Sequence, residues 1–475
     1  MAKKKTGSPK GAAPEAPPRV VVLAAGVGSR MRSSLPKVLH RVAGRTLIEA
    51  VLDAVAGLTP SQTVVVLGPR REHIEAVLEG RGVTVVVQDP PRGTGDAVSR
   101  ALPALAGGDG PIVVVAGDTP LLTPATLRAL VARRAERRLD AVLLSFRPPE
   151  PGDFGRVVRD RRGRVARIVE AAHAGARERR LGEVNAGAYC FDFAALSRAL
   201  SALAPNRGSG ELYLTDAIAA LAKGRGGVDA VVAEDWREAW GVNTRRDLAA
   251  AEEIERRRGV ERALDAGVTL VDASTVRIGP HVTLAPDVIV HPFVSLEGTT
   301  SLAEETEILP FSRVADSRIG RACRIGPHTD VEGARIGARA RVGPFARIRP
   351  ETVLADDVRV GNFVETKKAV LGAGVKANHL AYLGDAEIGA GANIGAGVIT
   401  CNYDGEKKHK TVIGEGAFVG SDSQLVAPVT VGPGAYVGSG TTVTKNVPAG
   451  ALAISRTPQK VVEGWAAKRK ARKQT

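Results

Sequence analysis

The carboxyl-terminal half of the chain keeps a six-residue beat from Ile278 to Val443. Aliphatic residues stand at Ile278, Leu284, Val290, Leu296, Leu302, Ile308 and Val314. After a one-residue slip the beat resumes at Ile319, Ile325 and Val331, and then at Ile336, Val342, Ile348, Leu354 and Val360. An interruption follows Leu371, Leu383, Ile388 and Ile394, and the last run is Ile413, Val419, Leu425, Val431, Val437 and Val443. Neither helical nor strand periodicity produces this spacing, whereas a hexapeptide solenoid does. Each hexad predicts one short strand and a turn, and three hexads predict a triangular coil with the aliphatic side chain inward. The backbone of each coil is satisfied by the coils above and below.

The amino-terminal half instead alternates short apolar runs with amphipathic segments. Residues 20–23, 64–67, 83–87 and 112–115 read as strands, and 47–56, 71–78, 96–105 and 124–136 as the helices between them. This predicts a mostly parallel, three-layer α/β sheet, on which ligands bind beyond the carboxyl ends of the strands. Residues 246–267 read as a helical connection, with Leu248, Ile254 and Leu264 at helical spacing and Arg256-Arg257-Arg258 as a solvated basic face. The expected organisation is a basic tail (1–18), an α/β domain (19–245), the helical linker, a β-helix (268–456) and a second basic tail (457–475).

Composition refines this picture without changing it. Aromatic residues make up only 4% of the chain, which suits a solenoid packed with Val, Ile and Leu. The net charge is +15, of which residues 1–19 carry +4 and residues 466–475 carry +5. Nucleic-acid binding would therefore rest mostly on tails that lack apolar periodicity and read as disordered. Three scattered cysteines imply a reducing compartment and no disulfide framework. The basic start runs into Pro and Ala rather than an apolar core, and no apolar run reaches membrane length. Together these features predict a cytoplasmic protein without membrane insertion.

Candidate chemistry begins where the first strand ends, at Leu23-Ala24-Ala25-Gly26, followed by Gly28, Arg30 and Pro36-Lys37. Glycines there let backbone amides approach a phosphate, and Arg30 and Lys37 add positive charge. A dinucleotide fold is excluded, because Met31 stands where G-x-G-x-x-G needs its third glycine and no acidic residue closes the second strand. Asp118 follows a buried apolar strand at the ligand edge, where a carboxylate suits a hard divalent cation. On the solenoid, Arg349 and Lys367 are one coil apart and predicted to stack outward, about 4.8 Å from each other. Two stacked cations imply an anionic ligand such as a phosphate, with a solvated surface as the alternative. The segment 401–411 is too long and polar for the hexad register and is expected to leave the prism as a loop.

These motifs resemble the signature of sugar-1-phosphate nucleotidylyltransferases. The resemblance continues through Gln88, Gly93-Thr94, Gly117-Asp118, Gly155-Arg156, Glu170, Asn185-Ala186-Gly187, Tyr213-Leu214-Thr215-Asp216 and Gly241-Val242-Asn243. With the hexapeptide half added, the chain from Val20 to Arg456 resembles the bifunctional N-acetylglucosamine-1-phosphate uridylyltransferase and glucosamine-1-phosphate N-acetyltransferase family. That resemblance implies a Rossmann-like nucleotidylyltransferase domain followed by a left-handed parallel β-helix.

The resemblance also implies the site residues. Leu23, Ala24, Ala25, Gly26, Lys37, Gln88, Gly93, Thr94, Gly155, Glu170, Asn185 and Asn243 would hold UTP or UDP-N-acetylglucosamine. Arg30 and Lys37 would neutralise charge, and Asp118 with Asn243 would bind Mg2+. Arg349, Lys367, Tyr382 and Asn393 would hold glucosamine 1-phosphate. His379 would be the general base, steadied by Glu365. Ala396, Asn402, Tyr403, Ser421, Ser439 and Arg456 would contact acetyl-CoA, within a homotrimer built through the β-helix. Two positions depart from the pattern: Val27 stands where a lysine is usual, and Glu170-Ala171-Ala172-His173 lacks the lysine usual after the glutamate. A single-activity nucleotidylyltransferase with a structural or regulatory solenoid remains an alternative, as does a non-catalytic scaffold.

Overall fold

The computed structural model describes residues 16–26, 28–206 and 208–472. Most of the expected amino-terminal tail, and Val27, lie outside the described residues. The chain divides into two compact units between Glu255 and Arg256. The division falls inside a single helix, Arg245–Asp265.

The first unit is built on a mixed sheet. In chain order its strands are β1 (Arg19–Ala24), β2 (Arg41–Val42), β3 (Arg45–Thr46), β4 (Gln62–Leu67), β5 (Thr84–Val87), β6 (Ile112–Ala116), β7 (Ala141–Phe146), β8 (Arg156–Arg159), β9 (Val165–Val169), β10 (Val184–Phe191) and β11 (Val228–Val232). The main sheet has the order β11-β7-β10-β6-β1-β4-β5, with the β8–β9 hairpin attached to β10; β2 and β3 pair separately. β1, β4, β5 and β6 run parallel, so their carboxyl ends share one edge. β10 runs antiparallel to both β6 and β7, so the main sheet is mostly parallel, as expected, with one reversed strand. Its register slips between Asn185 and Tyr189, where Gly187 takes φ 71°.

Helices α1 (Leu47–Ala56), α2 (Glu72–Leu78), α3 (Thr94–Ala101) and α4 (Pro124–Arg137) occupy the segments read as helical. Thr46 opens α1 with a capping box to Glu49, and Thr123 caps α4 ahead of Pro124. Two apolar layers sandwich the sheet, one including Ile48, Leu67 and Val115 and the other Val21, Val114 and Leu214. Arg19, counted with the basic amino terminus by charge, is instead buried. Its guanidinium donates to the carbonyls of Leu105 and Gly110 and lies 4.7 Å from the Phe193 ring centroid.

The second unit is a left-handed parallel β-helix of three stacked sheets. The first face runs from Thr269–Leu270 to Leu452–Ala453, the second from Arg277–Ile278 to Thr442–Val443, and the third from Thr283–Leu284 to Val429–Val431. Neighbouring rungs pair in parallel, as in Ile278↔Leu296 and Leu296↔Val314. The slip appears as a one-residue shorter coil, with Val314 opposite Val331. The hexad aliphatics form one continuous core, in which Leu284 alone of the beat is only partly buried. Arg256 donates to Ala273 O at 2.7 Å, so the basic stretch of the Arg245–Asp265 helix is not a purely solvated face. The expected carboxyl-terminal tail contains a helix, Trp465–Ala471, in a run of good helix formers.

Candidate functional site

The parallel strands of the first unit end at a cleft of about 600 Å³. Leu23–Gly26 continue from β1, Gln88 follows β5, Asp118 follows β6, and Gly93 precedes α3. Arg30, Lys37, Thr94, Glu170 and Asn185 also line it. Lys37 Nζ contacts the Asp118 carboxylate and stands 3.0 Å from Asn243 Oδ1. Arg30 Nη2 donates to the same Asn243 oxygen at 3.0 Å. Two protein oxygens far apart in the chain thus converge on one cation.

Glycine placement explains part of this geometry. Gly28 sits at φ 67°, and a Cβ there would stand 2.5 Å from Lys37 Cβ, so only glycine leaves the lysine its seat. A Cβ on Gly26 would meet nothing within 4 Å, which leaves the backbone open to the close approach of a ligand.

The remaining cleft residues are pinned by hydrogen bonds. Buried Gln88 donates from Nε2 to Gly93 O (2.9 Å) and Asp96 Oδ2 (2.8 Å), fixing the turn before α3. Its amide nitrogen is therefore committed to the protein, and its carbonyl oxygen is the group left for a base. Thr215 donates to Glu170 Oε1 at 2.9 Å, and Asn185 donates to Tyr189 Oη at 2.7 Å. Burial pushes the Tyr189 hydroxyl far above its ordinary pKa, so it stays protonated. A Cβ on Gly155 would lie 3.5 Å from Glu170 Oε2, so its backbone stands beside that carboxylate, although Gly155 is not itself among the residues lining the cleft. Thr215 and Tyr189 were not singled out as site residues. The Thr215 signal was the Tyr-Leu-Thr-Asp motif, but Tyr189 carries none, because an apolar run hides it.

Asp118 and Asn243 form a small, all-oxygen set, and Lys37 Nζ marks where a positive charge is held between them. No cluster of three or more His, Cys, Asp or Glu side chains suited to a metal occurs among the described residues. Two oxygens leave most coordination positions to phosphate and water, which fits Mg2+.

On the solenoid, Arg349 N–H donates to Thr366 O, placing Arg349 and Lys367 on successive coils. Arg349 Nη1 pairs with Glu365 Oε1 at 2.8 Å. Lys408 comes up against Lys367 and, with desolvation and Arg349, holds its ammonium below the ordinary lysine range. Lys408 was only one of several loop lysines in the sequence, and nothing there marked it out. His379 Nδ1 lies 3.1 Å from Asn362 Oδ1. With that oxygen accepting, Nδ1 carries the proton and Nε2 keeps the lone pair a base requires. Glu365, expected to steady His379, pairs with Arg349 on the second face, and His379 ends a strand of the first face.

The acetyl-CoA candidates divide between two corners. Ala396, Ser421, Ser439 and Arg456 follow first-face strands, on the corner leading to the second face. Asn402 and Tyr403 follow Ile399–Cys401 on the corner between second and third faces, where the loop closes through a Tyr403↔Lys408 bridge. Asn402 is buried and donates to Asp385 Oδ2 at 2.5 Å, whereas Tyr403 is exposed. Asp404 lies well below the usual carboxylate range, held by the N–H groups of Lys407 and Glu406 and by His409. Tyr382 lies on a strand of the second face and Asn393 on a strand of the first face.

An α/β sheet with a phosphate-suited glycine loop, joined to a hexapeptide β-helix, defines a nucleotidyltransferase fused to a hexapeptide transferase. Residues 20–187 match the MobA-like NTP transferase domain family, and residues 410–445 match the bacterial transferase hexapeptide (six repeats) family. Bifunctional protein GlmU of Pelobacter propionicus is 45% identical over 446 residues, covering 94% of this chain and 97% of that protein. The GlmU proteins of Desulfitobacterium hafniense (43% over 450 residues; 95% and 98% covered) and Sorangium cellulosum (45% over 464 residues; 96% and 97% covered) are similar across the same span. The chain belongs to the GlmU family and is a bifunctional enzyme, a uridylyltransferase and an acetyltransferase.

Proposed function

We propose that the chain makes UDP-N-acetylglucosamine in two steps, one in each unit. In the first, the 2-amino group of glucosamine 1-phosphate attacks the thioester carbonyl of acetyl-CoA. His379 Nε2 takes the amine proton, the C–S bond breaks, and the CoA thiolate leaves. Asn362 holds the imidazole in the required tautomer, and Arg349 and Lys367 bind the sugar phosphate. In the second, a phosphate oxygen of N-acetylglucosamine 1-phosphate attacks the α-phosphorus of UTP, and the bond to the β-phosphate oxygen breaks to release pyrophosphate. Arg30 and Lys37 orient the phosphates and neutralise their charge, so positioning and electrostatics carry this step. Bound between Asp118 and Asn243, Mg2+ would supply further neutralisation of phosphate charge. Glu170 and Asn185 would hold the sugar, and Gln88 the uracil.

The observation that carries this reading is the convergence of Asp118, Asn243 and Arg30 around Lys37 at the mouth of the cleft. No described helix is long and apolar enough to cross a membrane. We assign the enzyme to the cytoplasm, as a homotrimer assembled through the β-helix, supplying a precursor of bacterial envelope polymers. The test uses two full-length variants assayed for both reactions. Asp118→Ala is expected to lose uridylyl transfer alone and His379→Ala acetyl transfer alone; loss of both activities in either folded variant contradicts the assignment.

A further inference from the structure

Most corners of the prism are turned by one residue in the left-handed region. At the corner between third and first faces these are Asp287, Glu305, Ala322, Arg339 and Asp357, then glycines. At the corner between second and third faces they are Gly298, Asp316, Gly333, Glu351, Lys368 and Asp385. Small and polar residues are what such turns ordinarily take. The remaining corner departs from this rule. Five successive coils place Phe293, Phe311, His328, Phe345 and Phe363 there, with φ between 52° and 61°, and Leu380 follows.

The five rings stack face to face, with centroids 4.9 Å apart over the first three steps and 5.6 Å at the last. Stacking uses the ring faces, so what the ladder offers outward is ring edges. The phenylalanines remain 48–58% exposed despite it. A flat strip of aromatic edges about four strand spacings long is a protein-binding surface rather than a cradle for a small ligand.

The position of the strip says what covers it. It runs along the corner that carries Asn362 and His379 and continues into Ala396, Ser421 and Ser439. Asn402 and Tyr403 stand across the second face, on the next corner. A second copy whose second-to-third corner approaches this one brings the two groups together, and cyclic packing of identical prisms repeats the contact. A rotation axis parallel to the prism leaves every coil at its own height. The third face shows two exposed apolar residues on neighbouring rungs, Val353 (39%) and Val370 (44%), on the coils of Phe345 and Phe363.

We infer that the aromatic corner of one copy seats on the third face of the next, with Phe345 and Phe363 against Val353 and Val370. This contact carries the 402–410 loop across to His379. The inference rests on the trimer reading above and adds the surface that builds it.

The test compares the full chain with a Phe345→Asn/Phe363→Asn variant, asparagine being tolerated in the left-handed region. Sedimentation at graded concentrations is expected to show association weakened by about tenfold or more. Acetyl transfer should fall in step with the loss of assembly, and uridylyl transfer should be unchanged. A wild-type chain that sediments as a monomer removes the trimer reading itself. A variant that assembles and acetylates like a trimeric wild type removes the aromatic corner alone. Independently, a Phe363→Cys/Val370→Cys chain should cross-link between copies on mild oxidation, while either single replacement should not. A verified trimer without that cross-link overturns the pairing.

Discussion

The ammonium of Lys37 lies against the carboxylate of Asp118, 81 residues away in sequence, with Asn243 Oδ1 3.0 Å from the same nitrogen. On the proposed function, a lysine placed there would compete with a metal for the two oxygens and exchange them for phosphate on nucleotide binding. Lys37→Met should therefore lower uridylyl transfer by roughly 10²–10³-fold while tightening Mg2+ binding to the substrate-free enzyme. Titration calorimetry with Mg2+, beside the rate assay, checks both; weaker metal binding in the variant would show that Lys37 helps build the metal site. Chelation should stop uridylyl transfer and leave acetyl transfer intact, with recovery on adding Mg2+.

Gly28 gives a stability test at the same loop. An alanine there carries a left-handed φ and drives its Cβ into Lys37. Gly28→Ala should cost about 1–2 kcal/mol of stability in the first unit and reduce uridylyl transfer further by displacing Lys37. Denaturant titration and steady-state kinetics measure the two effects separately.

The division of acetyl-CoA candidates between two corners predicts complementation. His379→Ala and an Asn402→Ala/Tyr403→Ala variant should each lose most acetyl transfer alone. Mixed trimers of the two should regain part of it, because some sites then receive both intact halves. Verified mixed trimers with no recovery would mean that each site is built within one chain.

The three thiols should differ in reactivity. Burial pushes Cys190 up to about 12 and Cys323 up to about 11, and both side chains are sealed in their cores. A raised thiol pKa leaves little thiolate at pH 8. Burial raises the Cys401 thiol too, but this side chain is only half-buried, at the start of the loop, so it should be alkylated ahead of the other two in the folded protein, with all three reacting in denaturant. Rapid modification of Cys190 in the native enzyme would contradict the sheet packing around β10.

Much of the architecture was legible because the solenoid repeats one decision many times. Ile278, Leu296 and Val314 declare their coil register by spacing alone, and even the slip after Val314 shows in the sequence. The reversed strand β10 was not legible, since Val184–Phe191 is apolar apart from Asn185 and direction leaves no mark on such a run. The phosphate loop announced itself through Gly26, Gly28, Arg30 and Lys37, which are neighbours in the chain. That Lys37 rests on Asp118 and Asn243 is a long-range fact carried by no local pattern. Asn362 escaped notice because its link to His379 is vertical, from one coil to the next. The aromatic corner does have a signal, the 17- or 18-residue spacing of Phe293, Phe311, His328, Phe345 and Phe363. It lies off the aliphatic beat and becomes meaningful only once coil height is known.

One chain performing two transfers in sequence is decided by product analysis with one component omitted at a time. With glucosamine 1-phosphate, acetyl-CoA, UTP and Mg2+, the account predicts UDP-N-acetylglucosamine, pyrophosphate and free CoA. Without acetyl-CoA no UDP-N-acetylglucosamine should form, and without UTP N-acetylglucosamine 1-phosphate should accumulate. Failure of the enzyme to release CoA or to acetylate glucosamine 1-phosphate, while it still converts supplied N-acetylglucosamine 1-phosphate, would contradict the account and leave the solenoid a structural appendage.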